Sequence, residues 1–159
     1  MLKPDLLCES VQDIPFADLW RQGYRGLIFD LDNTLVPWHQ YGENPALGLW
    51  MRDLCSRGFR VCLLSNSAYE KVAPVGRWLG IPVVCGGKKP LKTGYRRALA
   101  LLEVPAQHCV MIGDQLLTDV FGAKRSGIYT VLTPRLSPRE QWGTRHLSRP
   151  LERWIKKSW

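Results

Sequence analysis

The chain has 159 residues, 45% of them hydrophobic, and a formal net charge of +8, and this length provides one compact domain rather than two. No apolar run approaches the roughly 20 residues that span a bilayer, and the N-terminus lacks the hydrophobic segment and cleavage site of a signal peptide. We therefore expect neither a membrane-spanning nor a secreted protein, but a cytoplasmic one whose basic surface attracts anionic partners.

Apolar runs, turn residues and amphipathic stretches predict strands and helices in strict alternation along most of the chain. The predicted strands lie at residues 27–29, 59–64, 81–84, 108–114 and 128–134. The predicted helices lie at residues 17–24, 45–58, 69–79, 92–104 and 116–127. Apolar strands joined to helices by short links are typical of a parallel sheet with helices on both faces, so the fold class is α/β with three α/β/α layers.

We divide the chain into an N-terminal extension at residues 1–24 that packs on the core, a core at residues 25–133 and a tail at residues 134–159. The tail is basic and holds three of the seven tryptophans; from Lys124 onward the chain carries nine Lys or Arg against two Glu. Its last residues, 151–159, have the pattern of a short amphipathic helix, which would either dock on the core or contact a membrane.

The five cysteines are widely spaced and form no C-x-x-C pair. Four of them sit in or beside apolar segments: Cys55, Cys62, Cys85 and Cys109. This pattern indicates buried thiols in a reducing compartment rather than a disulfide framework or a zinc site.

Polar side chains collect where the predicted strands end. Asp30 and Asp32 follow the first strand, and a loop at residues 37–45, rich in Pro, Gly and aromatic residues, should hang over this end. The later strands are followed by Ser65 and Asn66, by Lys89 and by Asp114. Because parallel strands present their carboxyl ends at one edge of the sheet, where ligands bind, we expect these side chains to converge.

The acidic residues at this edge suit a divalent cation. Asp30 and Asp32 lie two residues apart, so in extended backbone they point to the same side, where they repel each other unless they share a cation or a proton. Asp114, delivered from another strand, completes a set of hard oxygen ligands that suits Mg²⁺. We therefore predict Mg²⁺ as the cofactor.

Four short motifs resemble, in order and spacing, the signature of the haloacid dehalogenase (HAD) superfamily of phosphatases. They are Asp30-Leu31-Asp32-Asn33-Thr34, Ser65-Asn66, Lys89-Pro90 and Gly113-Asp114-Gln115-Leu116-Leu117-Thr118-Asp119. The resemblance covers roughly residues 25–132. It implies a Rossmann-like α/β domain, which agrees with the alternation of elements.

The resemblance also implies a role for each matching acidic residue. Asp30 would be the nucleophile that forms an aspartyl-phosphate. Asp32 would protonate the leaving oxygen and then activate water. Mg²⁺ would be held by Asp30, Asp114 and the backbone carbonyl of Asp32.

The phosphate-binding residues follow from the second and third motifs. Ser65, the backbone amide of Asn66 and the ammonium of Lys89 would bind the phosphoryl oxygens. Lys88 is the neighbouring alternative to Lys89, which we prefer because Pro90 follows it, as in the family pattern.

Two motif residues have two interpretations each. Thr34 either binds the phosphate or bonds backbone groups within its turn. Asp119 either supports the metal site or Lys89 from behind, or caps the helix that follows.

Motif spacing bears on the substrate, since HAD enzymes commonly insert a cap domain between the first two motifs or between the second and third. Here 30 residues separate Thr34 from Ser65 and 23 separate Ser65 from Lys89, and each interval is used up by a helix and a strand. No cap domain fits. The site should therefore be open, which favours a phosphate presented on something large.

Further segments resemble the capless bacterial branch, of subfamily IIIA type, that is related to mitochondrial phosphatidylglycerophosphate phosphatases. They are the Leu-Lys-Pro-Asp start, residues 26–38, residues 63–67 and the Lys-Pro loop. This resemblance implies a Mg²⁺-dependent phosphomonoester hydrolase that converts phosphatidylglycerophosphate to phosphatidylglycerol. The basic, tryptophan-containing tail would then hold the enzyme peripherally on an anionic membrane.

Three other functions were weighed against this one. A HAD phosphatase of a soluble sugar or nucleotide phosphate, or of a phosphoprotein, would carry the same motifs. A phospho-accepting receiver domain would carry its phosphorylated aspartate on the third strand, with nothing like Asp32 two residues later to hydrolyse the adduct. Specific nucleic-acid binding is not expected, because the chain has neither an aromatic sheet surface nor a recognition-helix signature.

Overall fold

A six-stranded sheet forms the centre of the computed structural model, which describes residues 2–138 and residue 153. All neighbouring strands are parallel, in the order β1-β6-β5-β2-β3-β4. The strands are β1 (Leu6–Leu7), β2 (Gly26–Phe29), β3 (Arg60–Leu64), β4 (Val83–Val84), β5 (Cys109–Gly113) and β6 (Tyr129–Leu132). The helices are α1 (Phe16–Arg21), α2 (Pro45–Ser56), α3 (Tyr69–Leu79), α4 (Lys92–Leu102) and α5 (Gly122–Lys124).

Helices cover both faces of the sheet. Leu27 and Phe29 of β2 pack in a cluster with residues of α1, α2 and α3, whereas Ile28 between them packs with residues of α4 and α5. All three side chains are fully buried. The expected three-layer α/β/α fold is therefore confirmed, and the continuous apolar run of β2 reflects burial on both of its faces.

Local sequence signals set the ends of two helices. Asn44 begins α2, because its side chain accepts a hydrogen bond from the backbone N–H of Leu47 at 3.1 Å, and Pro45 follows it in the first turn. Gly80 ends α3 in a left-handed conformation with φ of 73°. Both signals were read correctly from the sequence.

The sheet has one strand more than the five that were predicted. Strand β1 lies in the N-terminal extension and pairs with β6 through Leu6 and Leu7. Asp5 strengthens this junction, because its carboxylate accepts hydrogen bonds from the backbone N–H and hydroxyl of Thr130 and from Lys124, each at 2.8 Å. Burial alone would raise the pKa of Asp5, but these donors outweigh it and lower the pKa.

The helix predicted after β5 is irregular. Its first part, Leu116–Phe121, is a π-helical segment, and only Gly122–Lys124 continues as α-helix. The amide of Asp119 donates to the carbonyl of Gln115 at 2.9 Å, and the amide of Val120 donates to the same carbonyl at 3.3 Å. The wider turn sets the position of Asp119, which belongs to the functional site.

Most of the predicted C-terminal tail lies outside the described residues, and so does the amphipathic helix expected at residues 151–159 apart from residue 153. The first residues of the tail, which are described, contact Asn33 of the first motif. The backbone N–H of Leu136 donates to the carbonyl of Asn33 at 3.0 Å, and the N–H of Ser137 donates to the Asn33 side chain at 3.1 Å. Within residues 2–138, each helix is too short or too polar to cross a membrane.

Candidate active site

The strand register brings the predicted site residues to one edge of the sheet. Phe29, the last residue of β2, is level with Leu63 of β3 and Ile112 of β5. The backbone N–H of Asp30 still donates to the carbonyl of Ile112 at 2.9 Å, so Asp30 leaves the sheet directly beside the end of β5. Asp30, Ser65 and Asp114 therefore follow three adjacent strands, as the sequence predicted.

Lys89 is a buried cation held between two carboxylates. Its Nζ lies 2.7 Å from Asp30 Oδ1 and 2.7 Å from Asp119 Oδ1, and the Lys89 side chain is only 3% exposed. Burial alone would lower the pKa of Lys89, but the negative charges of Asp119 and Asp30 outweigh it and raise the pKa. Lys89 is therefore positively charged at neutral pH. Lys88, the alternative considered from the sequence, is exposed.

The pKa of Asp30 reflects two opposing influences. Burial raises it and the Lys89 ammonium lowers it, and because burial outweighs Lys89 the pKa of Asp30 lies at about 6. The carboxyl group is therefore mainly ionised at neutral pH, which is the state that a nucleophile requires.

Asp119 supports the site from behind. While Oδ1 contacts Lys89, Oδ2 accepts hydrogen bonds from the backbone N–H groups of Asp114 and Gln115, each at 3.1 Å. A side chain at Gly113 would collide with the Asp119 carboxylate, so glycine is required at this position for the close approach. The carboxylate thus joins Lys89 to the backbone after β5. Of the two interpretations of Asp119 given above, this contact matches support of Lys89 from behind.

Three carboxylates could hold a metal ion. Ligand oxygens of Asp30, Asp114 and Asp119 all lie within 4.8 Å of one another, and all three residues are buried. Asp119 is the most heavily engaged of the three, because it accepts hydrogen bonds from Lys89 and from two backbone N–H groups, and Asp30 and Asp114 are therefore the more suitable ligands. Two buried carboxylates, of which Asp30 also lines the adjacent cavity, fit Mg²⁺, which usually takes one or two protein carboxylates.

Thr34 makes a contact that neither sequence interpretation anticipated. Its hydroxyl lies 3.1 Å from Asp30 Oδ2 and 3.4 Å from Asp114 Oδ1. The residue is 1% exposed. This position orients the two carboxylates relative to each other, and a phosphate-binding role for Thr34 stays a prediction.

Asp32 lies at the same edge, and its oxygens face a different set of groups. Oδ1 accepts a hydrogen bond from the Tyr41 hydroxyl at 2.7 Å and one from the backbone N–H of His39 at 3.2 Å. Oδ2 accepts a weaker bond from the Ser67 hydroxyl at 3.3 Å. Tyr41 and His39 belong to the loop that was expected to hang over the end of β2.

The second motif is tied to the third by a reciprocal pair of hydrogen bonds. The Asn66 side chain accepts from the backbone N–H of Lys89 at 2.7 Å and donates to the Lys89 carbonyl at 3.2 Å. Ser65 is buried, and its hydroxyl oxygen accepts a bond from the backbone N–H of Ser67 at 3.0 Å. The Asn66 side chain thus holds the backbone of the loop that carries Lys89, a contact that the sequence did not reveal.

A cavity of about 60 Å³ opens at this edge. Five predicted residues line it: Asp30, Asp32, Ser65, Asn66 and Lys89. Five others were not predicted: Asn33, Trp38, Ser67, Gln115 and Thr118. Ser67 could have been found from the sequence, because it follows Ser65 by two residues, the spacing that already linked Asp30 and Asp32.

The prediction that no cap domain fits is also confirmed. Between Thr34 and Ser65 the chain forms only a loop, α2 and β3, and between Ser65 and Lys89 it forms α3, β4 and short links. These intervals are described completely.

Comparison with known proteins agrees with the motifs. A family model described as HAD-hydrolase-like matches residues 86–140. The chain is 35% identical over 152 residues to the probable phosphatase YqeG of Bacillus subtilis, covering 96% of this chain and 88% of that protein. It is 32% identical to the chloroplastic phosphatidylglycerophosphate phosphatase 1 of Chlamydomonas reinhardtii, with 96% of this chain matched. The match spans only 60% of the algal protein's length.

A solved structure shares the fold. The crystal structure of a HAD phosphatase from Thermococcus onnurineus superimposes with a TM-score of 0.50 and 23% identity, over 62% of this chain and 50% of that one. At this level of identity the likeness concerns the fold alone. The similarity to YqeG, by contrast, extends along almost the whole chain and identifies the family. The chain belongs to the HAD phosphatases, with relatives among the phosphatidylglycerophosphate phosphatases.

Proposed function

We propose that this protein is a Mg²⁺-dependent phosphomonoester hydrolase that works through an aspartyl-phosphate on Asp30. One observation carries the proposal: a buried Asp30 is fixed against Lys89 and lies with Asp32 in the wall of one small cavity. Phosphate monoesters hydrolyse extremely slowly without a catalyst, and a covalent intermediate divides the reaction into two easier steps.

In the first step a carboxylate oxygen of Asp30 attacks phosphorus, and the bond from phosphorus to the leaving oxygen breaks. Lys89 and the Ser65 hydroxyl, which both line the cavity, stabilise the negative charge on the phosphoryl oxygens. Thr34 and Lys89 contact opposite oxygens of Asp30 and so restrict its rotation. Their positions are fixed before the substrate arrives, so little reorganisation is needed.

Asp32 moves protons in both steps. It donates a proton to the leaving oxygen as the first bond breaks, and the resulting carboxylate then takes a proton from the water that attacks the aspartyl-phosphate. Hydrolysis returns Asp30 as a carboxylate and releases inorganic phosphate. A positioned acid and base of this kind contributes on the order of 10² to 10⁴ in rate.

The carboxylates of Asp30 and Asp114 and the backbone carbonyl of Asp32 would hold Mg²⁺. When bound, the cation would offset the repulsion between an incoming phosphate and the aspartates. Asp119 would keep the Asp114 backbone in place through its hydrogen bond to the Asp114 amide.

We propose that the substrate is phosphatidylglycerophosphate, which would be converted to phosphatidylglycerol. Two observations support this choice. The chain is similar over 96% of its length to an algal protein named for this activity, and it has no cap domain to enclose a small metabolite. A soluble sugar or nucleotide phosphate, or a phosphoprotein, is the alternative.

Phosphate release from phosphatidylglycerophosphate in mixed micelles tests the proposal. We expect release to require Mg²⁺ and to stop when the metal is chelated, because Asp30 and Asp114 then lose the cation that offsets their charge. We also expect kcat/KM for the lipid to exceed the values for soluble sugar and nucleotide monophosphates by roughly 100-fold or more.

Two outcomes would separate the parts of this proposal. Mg²⁺-dependent release from soluble phosphates but not from the lipid would contradict the lipid substrate and leave the phosphatase chemistry intact. Full activity in the presence of excess chelator would contradict the metal requirement.

We further propose that the basic tail associates with anionic membranes. Each Lys or Arg near an anionic surface contributes about 1 kcal/mol, and tryptophan favours the interface. Deleting residues 147–159 removes four such cations and two tryptophans, so we expect binding to anionic liposomes at physiological salt to fall roughly tenfold or more. Liposomes of zwitterionic lipid are the control. Unchanged binding of the shortened chain would contradict the proposal.

A further inference from the structure

The carboxylate of Asp32 is held by residues that belong to none of the four motifs. The Tyr41 hydroxyl, at 2.7 Å, makes the shortest contact, and the His39 backbone N–H binds the same oxygen, Oδ1, at 3.2 Å. Oδ2 has only the 3.3 Å contact with the Ser67 hydroxyl. The two oxygens are therefore unequal: one has two donors directed at it, and the other is loosely held.

The loop after β2 delivers these donors. His39 adopts a left-handed conformation with φ of 61°, which turns the chain back towards Asp32. The His39 ring packs at 4.1 Å from the ring of Trp38 and at 5.6 Å from that of Tyr41. A tyrosine side chain is neutral at pH 7, so the Tyr41 hydroxyl is a hydrogen-bond donor to Asp32.

Building on the proposed function, we infer that Tyr41 is a positioning residue that decides which oxygen of Asp32 carries the mobile proton. A protonated carboxyl group has one O–H. Oδ1 faces the His39 backbone N–H, which can only donate, and the close Tyr41 hydroxyl, whereas Oδ2 faces only the more distant Ser67 hydroxyl, which can rotate to accept, so the proton resides on Oδ2.

The proton transfer then has a defined course. As the bond from phosphorus to the leaving oxygen breaks, its electron pair goes to that oxygen, which takes the proton from Oδ2 and leaves as an alcohol. The negative charge left on Asp32 is stabilised by the Tyr41 and His39 donors on Oδ1. Oδ2 is then ready to accept a proton from the attacking water, which completes the cycle.

This arrangement predicts that the importance of Tyr41 depends on the leaving group. An alkoxide is strongly basic, so an alkyl phosphate needs the proton as its bond breaks. A 4-nitrophenolate is a stable anion and needs almost no protonation. A general disturbance of the fold would slow the reaction of both esters alike.

The test compares kcat/KM for phosphatidylglycerophosphate and for 4-nitrophenyl phosphate in the native protein and in Tyr41→Phe. We expect Tyr41→Phe to lower kcat/KM for the alkyl ester about 10-fold to 100-fold, a part of the full contribution of a general acid, and for the aryl ester by less than about threefold. Tyr69→Phe, which makes the same change at an exposed tyrosine, should leave both values unchanged.

A double-variant cycle provides the second readout. In an Asp32→Asn background, Tyr41→Phe should produce no further loss, because the proton that Tyr41 positions is gone. Equal losses for the two esters, or additive losses in the double variant, would overturn the inference while leaving the phosphatase proposal in place. If the native protein released phosphate from neither ester and from no soluble sugar or nucleotide monophosphate, both would be refuted.

Discussion

Replacing Asp30 with asparagine is expected to abolish phosphate release, with kcat falling by roughly 10⁴-fold or more. An amide cannot form the aspartyl-phosphate, and the acid at Asp32 has nothing to assist once the nucleophile is lost. The comparison with native protein should use saturating Mg²⁺, so that weakened metal binding does not account for the loss. Acid quenching during turnover should trap phosphate covalently on the native protein and leave Asp30→Asn unlabelled.

The structure offers a control for this experiment. Asp53 carries an exposed carboxylate that pairs with Arg57 at 2.9 Å at the C-terminal end of α2, away from the carboxyl ends of the strands. Asp53→Asn makes the same chemical change and should retain native activity. Asp30→Asn should also remain folded, because Lys89 keeps its contact with Asp119. Turnover by Asp30→Asn near the native rate would refute the covalent mechanism whatever the substrate is.

Replacing Asp119 with alanine is expected to lower the free energy of unfolding by about 3–5 kcal/mol. The change removes one of the two counter-charges of the buried Lys89, and it also removes the acceptor of two backbone N–H groups, one of them buried and the other partly buried. Denaturant unfolding, measured with the metal chelated, would report the difference without a contribution from metal binding.

Exposed ion pairs supply the comparison for Asp119. Asp53→Ala breaks the surface pair with Arg57, whose two side chains are each about half exposed, and should change the free energy of unfolding by at most about 1 kcal/mol. Asp119→Asn keeps an acceptor for the backbone N–H groups. Its loss of free energy of unfolding should therefore lie between the losses for Asp119→Ala and Asp53→Ala. A loss for Asp119→Ala as small as that for Asp53→Ala would contradict the view that Asp119 stabilises the buried lysine.

Most of the fold could be predicted because the central strands are apolar runs bounded by strong breakers. Gly80 and the Asn44-Pro45 pair marked helix ends that the structure reproduces. Strand β1 could not be predicted, because two leucines carry no periodic signal and their pairing depends on β6, which lies more than 120 residues later in the chain. The π-helical turn was missed for a related reason: the position of Asp119 against Gly113 is a tertiary constraint.

Within the site, the sequence revealed the residues that belong to motifs at strand ends and missed those that support them. Asp30, Lys89 and Asp114 follow strands, and parallel topology alone brings such residues together. Tyr41 and the side-chain amide of Asn66 act through loops, whose paths depend on contacts with distant residues. The sequence therefore indicates the type of reaction, whereas the contacts that orient the reacting side chains are seen only in the structure.

The two outermost strands of the sheet have a consequence for solubility. Strands β1 and β4 contain two residues each, whereas the inner strands run for four or five. An edge this short presents few unpaired backbone groups to another molecule, so it is a poor template for intermolecular strand pairing. A sheet with very hydrophobic inner strands can therefore keep its catalytic end uncovered by a cap domain while its sides remain resistant to aggregation.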